Sequence, residues 1–321
     1  MKRTILLTGK TGQVGSELLR LLQEIGEVVA PDRYELELLD ANNIRRMVRE
    51  IRPDLIVNAA AYTAVDAAET QETEAYAINA NAPAVLAEEA KKIGAGIVHY
   101  STDYVFDGSK KTPYEETDSV APTNVYGKTK LAGEQAICTS GVPYLIFRLA
   151  WVYGTRGRNF LLTILRLATE REELRIVCDQ FGAPTWSREI AEATVKILAQ
   201  LIGQSSPPSA LLSPVSGIYH LSAAGEVTWY DFACAILEEA AHFLPDIFWF
   251  DEATSRKPLI TKRVIPITTA EYPTPALRPA FSVLSNSRLT RTFGVGLPDW
   301  RTQLRLVFGP KGSGHVHRPC S

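Results

Sequence analysis

The sequence predicts an α/β protein with a doubly wound parallel sheet, followed by a smaller C-terminal domain. Over about the first 150 residues, short β-prone apolar runs alternate with segments of helical periodicity. The strands are nearly continuous apolar runs, which is typical of parallel strands covered on both faces. A glycine-rich turn joins the first strand to the first helix. Together these observations favour a Rossmann-type sheet, whose ligands bind at the carboxyl ends of the strands.

The elements follow one another in a regular order. Strands are predicted at 4–8, 27–30, 55–57, 97–100 and 144–149, and helices at 16–25, 42–51, 74–93 and 126–138. The second half is proline-rich and less regular, with a surface loop at 204–217 and a polar, flexible tail at 309–321. We therefore divide the chain into domains 1–153 and 154–321, with some later segments returning to the first domain.

Composition excludes several kinds of partner. The net charge is −2 and the pI about 6.3, so no general basic field attracts nucleic acid. No apolar run approaches the roughly 20 residues of a membrane helix. The cysteines Cys138, Cys178, Cys234 and Cys320 are too far apart for a zinc-type spacing. Reduced thiols in a cytoplasmic protein are the simplest interpretation.

The turn after the first strand carries a GxxGxxG motif at Gly9, Gly12 and Gly15. Glycines at such a junction allow a tight turn and a close approach of a pyrophosphate to the backbone, and the following helix offers its free N–H groups. A glycine-bearing turn without a ligand is the alternative. The position between the first strand and the first helix favours nucleotide binding, and residues 1–153 are therefore the expected NAD(P)-binding domain.

The second strand is expected to end near Asp32 and Arg33. An acid at this position favours the ribose hydroxyls of NAD, whereas an arginine favours the phosphate of NADP. Because both are present, the choice between NADPH and NADH stays open. Asp40 either lies beside the adenine or caps the next helix.

A tyrosine and a lysine four residues apart, Tyr126 and Lys130, share one face of a predicted helix. They follow Thr102 and Asp103, which come just after the fourth predicted strand. Hydride addition to a carbonyl builds negative charge on oxygen, and a phenol placed there can donate its proton. A nearby ammonium is expected to lower the phenol pKa, and a hydroxyl such as that of Thr102 can stabilise the oxyanion. Taken singly, each residue also fits a capping or solvated role.

Seven stretches of the chain closely resemble the dTDP-4-dehydrorhamnose reductase family, an extended short-chain dehydrogenase/reductase group. They are GKTGQVG at 9–15, NAAAYTAVD at 58–66, HYSTDYVF at 99–106, NVYGKTKLAGE at 124–134, FRLAWVY at 147–153, DQFGAPT at 179–185 and YPTPALRP at 272–279. The resemblance extends from about residue 4 to Trp300. The HYSTDYVF and DQFGAPT strings are far more specific than the glycine motif.

The resemblance implies reduction of the 4-keto group of dTDP-6-deoxy-L-lyxo-4-hexulose to dTDP-L-rhamnose by NADPH or NADH. Tyr126 is then the proton donor, Lys130 its partner and Thr102 the hydroxyl that orients the carbonyl. Cofactor contacts are expected at Gly9, Gly12, Gln13, Val14, Gly15, Asp32, Arg33, Asp40, Ala61, Thr63, Tyr100, Tyr126 and Lys130. Contacts with the sugar nucleotide are expected at Val65, Thr102, Asp103 and Trp151, of which Val65 and Trp151 also fit plain packing.

Some members of the resembled family form dimers around a magnesium ion held by carboxylates of both subunits. Glu17 matches one carboxylate, but Arg188, with Glu189 beside it, stands where the second is expected. The third position, near the C-terminus, has no carboxylate in 308–311. Since magnesium needs oxygen ligands in near-octahedral order, we expect no metal here. The oligomeric state stays open between monomer and homodimer.

Two other functions remain as alternatives. A sugar-nucleotide epimerase or dehydratase of the same superfamily would share the cofactor cradle and the Tyr–Lys pair. A dehydratase would need a further acid–base residue, and no glutamate follows Asp103. A non-catalytic regulatory homologue is the third possibility, against which intact Thr102, Tyr126 and Lys130 argue.

Overall fold

A six-stranded parallel sheet forms the centre of the computed structural model, which describes residues 3–202, 210, 212–241 and 248–309. Its strands are β1 Thr4–Thr8, β2 Glu27–Val29, β3 Leu55–Asn58, β4 Gly96–Thr102, β5 Tyr144–Leu149 and β10 Gly217–His220. They lie in the order β10-β5-β4-β3-β1-β2. The chain thus winds outward in both directions from β1, and the predicted doubly wound α/β class is confirmed.

Helices cover both faces of this sheet. The covering helices are α1 Gln13–Leu21, α2 Ala41–Ile51, α5 Ala82–Ile93, α6 Val125–Ser140 and α8 Ser187–Ile202. The short helices α3 Val65–Ala68 and α4 Glu72–Tyr76 pack on α6, and α7 Phe160–Glu170 belongs to the apolar cluster of the second half. Neighbouring strand residues point to opposite faces, so both faces of β1 need a cover. Leu6 packs in the same cluster as Ile44 of α2, whereas Ile5 and Leu7 pack with Leu18 of α1. This two-sided burial explains why the strands are continuously apolar.

The second half builds a separate apolar cluster and also contributes to the sheet. The cluster joins α7 to the parallel pair β7 Glu173–Val177 and β12 Arg263–Ile267. Later helices span Trp229–Ala241, Phe248–Thr254, Ser287–Phe293 and Trp300–Phe308, and short strands are β6 Val152–Tyr153, β8 Phe181–Gly182, β9 Thr185–Trp186 and β11 Val227–Thr228. The strand β10 extends the central sheet, and α8 packs against α1.

The predicted helix 74–93 is interrupted. Between α4 and α5 the segment Ala77–Asn81 forms a π-helical turn. Its Asn79 side chain accepts a hydrogen bond from the Tyr62 backbone N–H at 2.9 Å and donates to the Tyr62 carbonyl and to Thr129 Oγ1. Such local turns often occur at functional sites, and periodicity alone does not reveal them.

Two strand ends also differ from the prediction. β4 continues through Thr102, so Thr102 is the last strand residue rather than a loop residue. β2 ends at Val29, three residues before Asp32. In the predicted loop 204–217, residues 204–209 and 211 lie outside the described residues, and so does the predicted tail apart from Gly309. No helix in the described ranges is both long and apolar enough to span a membrane.

Candidate active site

The carboxyl ends of β1, β3 and β4 form the edge of the sheet where the candidate site residues gather. β1 lies between β2 and β3, so the connections after β1 and β3 diverge to opposite sides. In open α/β sheets such a switch point opens a crevice for ligands. Thr8, Asn58 and Thr102 are the last residues of the three strands, and the loops after them carry the predicted motifs.

The glycine motif forms a cradle in which side chains have no room. Gly9 has φ +73°, and a Cβ there would lie 2.7 Å from the Ala60 nitrogen. A Cβ on Gly15 would overlap the Gly9 carbonyl oxygen. Gly12 begins α1 without any side-chain cap, so the first N–H groups of this nine-residue helix are left for a ligand. The close backbone approach and the uncapped helix end fit a dinucleotide pyrophosphate.

Gln13 and Val14 open α1 on different sides of the cradle. Val14 packs against the apolar core beneath the sheet. Gln13 Oε1 accepts a 3.0 Å hydrogen bond from Asn159 Nδ2, and Asn159 itself caps α7. The start of α1 is therefore hydrogen-bonded directly to the second half of the chain.

The loop after β2 contains both signs of charge. Asp32 Oδ1 accepts hydrogen bonds from the backbone N–H groups of Tyr34 and Glu35 at 2.8 and 3.0 Å. These bonds, led by the one from Glu35, hold the pKa of Asp32 below its ordinary value. The Arg33 side chain is 71% exposed and lies 3.8 Å from Glu37. Lys10, which sequence reasoning missed, donates to the Ala30 carbonyl at 2.8 Å and also lowers the pKa of Asp32.

Asp40 caps the helix α2. Its carboxylate accepts hydrogen bonds from the backbone N–H groups of Asn42 and Asn43. This is one of the two roles that the sequence left open, and an additional contact with adenine stays a prediction. Ala61 and Thr63 lie in the loop between β3 and α3, and Val65 begins α3 half-buried.

Thr102, Asp103 and Tyr126 come together where β4 ends and α6 begins. Thr102 Oγ1 donates to Asp103 Oδ1 at 2.9 Å and accepts from the Tyr104 N–H at 3.2 Å. Asn124 caps α6, and a Cβ on Gly127 would overlap the Tyr104 carbonyl oxygen, so the helix lies directly against this turn. That close approach brings the Thr102 hydroxyl into contact with Tyr126.

The predicted acidification of Tyr126 is wrong for this structure. Burial raises the pKa of Tyr126 to about 12, with the Thr102 hydroxyl opposing the shift. The Lys130 ammonium does not lower it, because Nζ donates instead to the Tyr100 carbonyl at 2.6 Å and lies 3.2 Å from His99 Nε2. Burial also lowers the pKa of Lys130 to about 8, against the opposing charge of Glu134.

Tyr100 contributes its backbone to the site and its side chain to the core. Its carbonyl binds Lys130, while its hydroxyl donates to Thr194 Oγ1 on α8 at 2.9 Å. The residue before it, His99, is fully buried and contacts Lys130 on one side and Asn58 on the other. Sequence reasoning assigned no role to His99 or Asn58, although both lie in the family-like strings.

Asp103 offers an unpaired oxygen. The residue is 2% exposed, and burial raises its pKa to about 6 while Ser282 and Thr102 oppose the shift. Its Oδ2 has no hydrogen-bond partner within the described part of the chain. A buried carboxylate oxygen without a partner is costly, so it fits a polar ligand group such as a sugar hydroxyl.

Trp151 is held in an unusual conformation. Its φ is +44°, a value that bulky side chains rarely adopt. Its ring stacks on Trp229 with 3.4 Å between centroids and 2° between planes, and a Cβ on Gly182 would overlap it. Strain of this kind persists only where the surroundings enforce it and is frequent at ligand sites.

Asp66 and Arg278 join the two halves of the chain beside this site. Arg278 Nη2 and Nη1 bind Asp66 Oδ2 and Oδ1 at 2.8 and 3.1 Å. The pair holds the 272–279 segment against the start of α3, next to Val65. The sequence offered no signal for this contact, because the partners are 212 residues apart.

The predicted magnesium positions lie on packed helices. Glu17 is on α1 and Arg188 and Glu189 are on α8, and Arg188 binds Glu192 at 2.8 Å. In the ranges that the structure describes, no three His, Cys, Asp or Glu residues form a metal-binding group. The third expected position falls partly outside these ranges, so the absence of magnesium stays a prediction.

Proteins of known family resemble this chain in sequence and in structure. A dTDP-4-dehydrorhamnose reductase of Burkholderia thailandensis is 48% identical, covering 94% of this chain and 97% of its own length. One of Escherichia coli K12 is 43% identical, with coverage of 94% and 96%. The crystal structure of a dTDP-4-dehydrorhamnose reductase from Bacillus anthracis in complex with NADP is 33% identical, covers 96% of this chain and 99% of its own, and superposes with a TM-score of 0.83.

The family model for the RmlD substrate binding domain matches residues 1–310, almost the whole chain. This match and the two relatives at more than 40% identity agree with the geometry of the site. The chain therefore belongs to the RmlD substrate-binding-domain family.

Proposed function

We propose that this chain is an NADPH-dependent dTDP-4-dehydrorhamnose reductase that converts dTDP-6-deoxy-L-lyxo-4-hexulose to dTDP-L-rhamnose, with Tyr126 as the proton donor. The observation that carries the proposal is that Thr102 and Tyr126 meet where β4 ends, with Lys130 bound to the Tyr100 carbonyl of the same strand, at the edge of the sheet that carries the glycine cradle. The names of the relatives and the bound NADP of the Bacillus anthracis enzyme support the substrate and the coenzyme.

The nicotinamide coenzyme supplies a hydride when bound, and residues of this chain handle the oxygen. The Thr102 hydroxyl hydrogen-bonds the keto oxygen, and Tyr126 gives that oxygen its phenolic proton. A pKa of about 12 keeps the phenol protonated at neutral pH, which is the form that reduction needs. Because an alkoxide is a stronger base than a phenolate, the transfer stays favourable. The phenolate left on Tyr126 then recovers a proton, for which Lys130, four residues further along α6, is the proposed donor.

The remaining side chains position the two ligands. The cradle of Gly9, Gly12 and Gly15 with the start of α1 holds the pyrophosphate. Asp103 and Trp151 hold the sugar nucleotide, Asp103 through its unpaired Oδ2 and Trp151 through its strained, stacked ring. Ala61 and Thr63, in the loop between β3 and α3, are proposed to contact the coenzyme, and Val65, at the start of α3, the sugar nucleotide.

The proposed setting is cytoplasmic, and the partner is a dTDP-sugar. The division into domains 1–153 and 154–321 and the choice between monomer and homodimer belong to the proposal as well.

Removal of divalent ions with EDTA should leave both activity and oligomeric state unchanged. A loss of the dimer or of turnover that magnesium restores would contradict the expected absence of a metal.

The direct test is an NADPH-oxidation assay with the enzymatically generated 4-keto sugar nucleotide, with the product identified by NMR. Tyr126→Phe should cut turnover by roughly 100-fold or more with coenzyme affinity intact, because it removes only the proton donor. Tyr144→Phe is the matched control, because Tyr144 begins β5 and so lies at the end of the strand away from the site. Equal turnover of Tyr126→Phe and the wild type would reject the assignment. Tightly bound NAD without net NADPH oxidation would favour an epimerase.

A further inference from the structure

A row of buried polar side chains runs sideways across the sheet beneath the glycine cradle. The register pairs Thr8 with Asn58 and Asn58 with His99 on the adjacent strands β1, β3 and β4. Thr8 Oγ1 lies 2.6 Å from Asn58 Oδ1, and Asn58 Nδ2 lies 3.0 Å from His99 Nδ1. His99 Nε2 ends the row, 3.2 Å from Lys130 Nζ. None of the four residues is more than 2% exposed.

The row links Lys130 to the wall of the coenzyme cradle. Thr8 Oγ1 also accepts the backbone N–H of Ala60 at 3.2 Å, and Ala60 is the residue against which Gly9 packs. Buried polar groups have to be hydrogen-bonded, and a change in the protonation of one group disturbs its partners. A buried lysine whose proton count changes during turnover therefore needs a partner that can both accept and donate.

We propose that His99 is a positioning residue for Lys130. Its imidazole stays hydrogen-bonded to the Lys130 side chain in both protonation states of that lysine, the ammonium and the amine. The inference rests on the proposed function, since it assumes that Lys130 exchanges a proton with Tyr126 during turnover. It concerns the lysine side of the site and assigns no contact between His99 and substrate or coenzyme.

A neutral imidazole can satisfy both states because one ring nitrogen donates and the other accepts. When Lys130 is an ammonium, His99 Nε2 accepts from it and Nδ1–H donates to the oxygen of the Asn58 amide. When Lys130 is an amine, His99 Nε2–H donates to it and Nδ1 accepts from Asn58 Nδ2, the amide orientation that the structure has. A half-turn of the Asn58 amide converts one arrangement into the other.

The surroundings keep His99 neutral and leave it as the adjustable partner. Burial and the charge of Lys130 hold the pKa of His99 well below its ordinary value. Within the described ranges, the other groups that interact with Lys130 are the Tyr100 carbonyl, which only accepts, and the carboxylate of Glu134 on its own helix, while Tyr126 lies four residues before it on α6. Both Glu134 oxygens are bound by Arg148, at 2.9 and 2.7 Å.

The test compares side chains that differ in how far they reach. The glutamine of His99→Gln can place its amide nitrogen where Nε2 lies and can offer Lys130 either an oxygen or an N–H. His99→Asn reaches only the Nδ1 position and keeps the contact with Asn58, and His99→Leu removes both contacts. His220→Gln and His220→Leu are the controls, because His220 is equally buried but lies on β10 and binds the Tyr114 carbonyl at 3.0 Å.

Two readouts separate this inference from the proposed function. The first is the pKa of Lys130, measured by NMR titration of lysine side chains with Lys130→Arg to assign the signal. The hydrogen bond that the ammonium donates is charge-assisted and stronger than the one that the amine accepts, so losing His99 Nε2 disfavours the ammonium on balance. His99→Asn and His99→Leu should therefore lower this pKa by about one unit, while His99→Gln keeps it. The second is the pH profile of kcat/KM, whose alkaline limb should move to lower pH in the same two variants.

The outcomes are distinct. An unchanged Lys130 pKa in His99→Asn, or a His99→Gln variant that shifts as far as His99→Asn, would overturn the inference even if the enzyme is a reductase. If His99→Leu does not fold, as judged by circular dichroism, the Gln and Asn variants still decide the question. Failure of the wild type to oxidise NADPH with the ketosugar would reject the proposed function, whereas the titration would still decide whether His99 bonds Lys130.

Discussion

The proposed coenzyme side and the proposed sugar side of this site are built in different ways. Backbone groups form the coenzyme side, since Gly9 and Gly15 leave no space for side chains and an uncapped helix end supplies N–H groups. Side chains form the sugar side, where Trp151 is strained and stacked and Arg278 reaches across 212 residues to Asp66. The glycine positions of the coenzyme side therefore tolerate almost no substitution. On the sugar side several side-chain contacts contribute to binding, so the loss of any one of them should cost less.

The largest effect is therefore expected at the cradle. Gly15→Ala adds a Cβ that overlaps the Gly9 carbonyl oxygen, so the turn has to open and NADPH affinity should fall by roughly 100-fold. Gly296→Ala is the control, because its Cβ would meet only Thr290 Oγ1 at 3.6 Å. Fluorescence titration with NADPH measures both. Equal affinities would show that the close approach is not essential and would erase the contrast between the two sides.

The next effect concerns the aromatic stack on the sugar side. Trp229→Ala removes the ring against which Trp151 stacks and should raise KM for the sugar nucleotide by about 10-fold, in line with the energy of one aromatic contact. NADPH affinity should not change. Trp229→Phe keeps a smaller ring and should recover part of the loss. A variant that weakens NADPH and sugar nucleotide alike would mean that the stack supports the whole site rather than one side.

A smaller effect is expected from the pair that joins the two halves. The Arg278 and Asp66 side chains are 24% and 41% exposed, so solvent weakens the pair and Arg278→Leu should raise KM by about fivefold. Lys262→Leu is the control, since it removes an ion pair, with Glu172 at 2.9 Å, that is far more exposed. Steady-state kinetics at two salt concentrations tests the assignment. Equal KM values for Arg278→Leu and wild type would remove Arg278 from the sugar side.

The same contrast explains what the sequence could and could not predict. The sheet and the glycine cradle follow from local patterns, because apolar runs, helical periodicity and glycine spacing are determined within a few residues. The π-helical turn at Asn79, the His99 row and the Arg278 contact depend on partners elsewhere in the chain. The wrong prediction for Tyr126 has the same cause. Spacing placed Lys130 beside it, but spacing does not reveal burial or the competing Tyr100 carbonyl.

The smallest effect on coenzyme affinity is expected where the adenosine of the coenzyme is proposed to bind. There the coenzyme side relies on one exposed side chain rather than on backbone groups. Arg33 is 71% exposed, so water and salt screen its charge. The Asp32 carboxylate, which would disfavour a phosphate, already accepts hydrogen bonds from two backbone N–H groups. The Lys10 ammonium adds a second positive charge nearby. Arg33→Ala should therefore weaken NADPH by only about threefold and leave NADH unchanged.

Dissociation constants for both coenzymes, with Arg46→Ala on α2 as an exposed arginine control, measure this difference. A loss that is equal for NADH and NADPH would mean that Arg33 does not meet the 2′-phosphate. A loss much greater than threefold would mean that Arg33 becomes buried against the ligand. In that case the adenosine end also depends on a single side chain, and the contrast between the two sides would hold only for the glycine cradle.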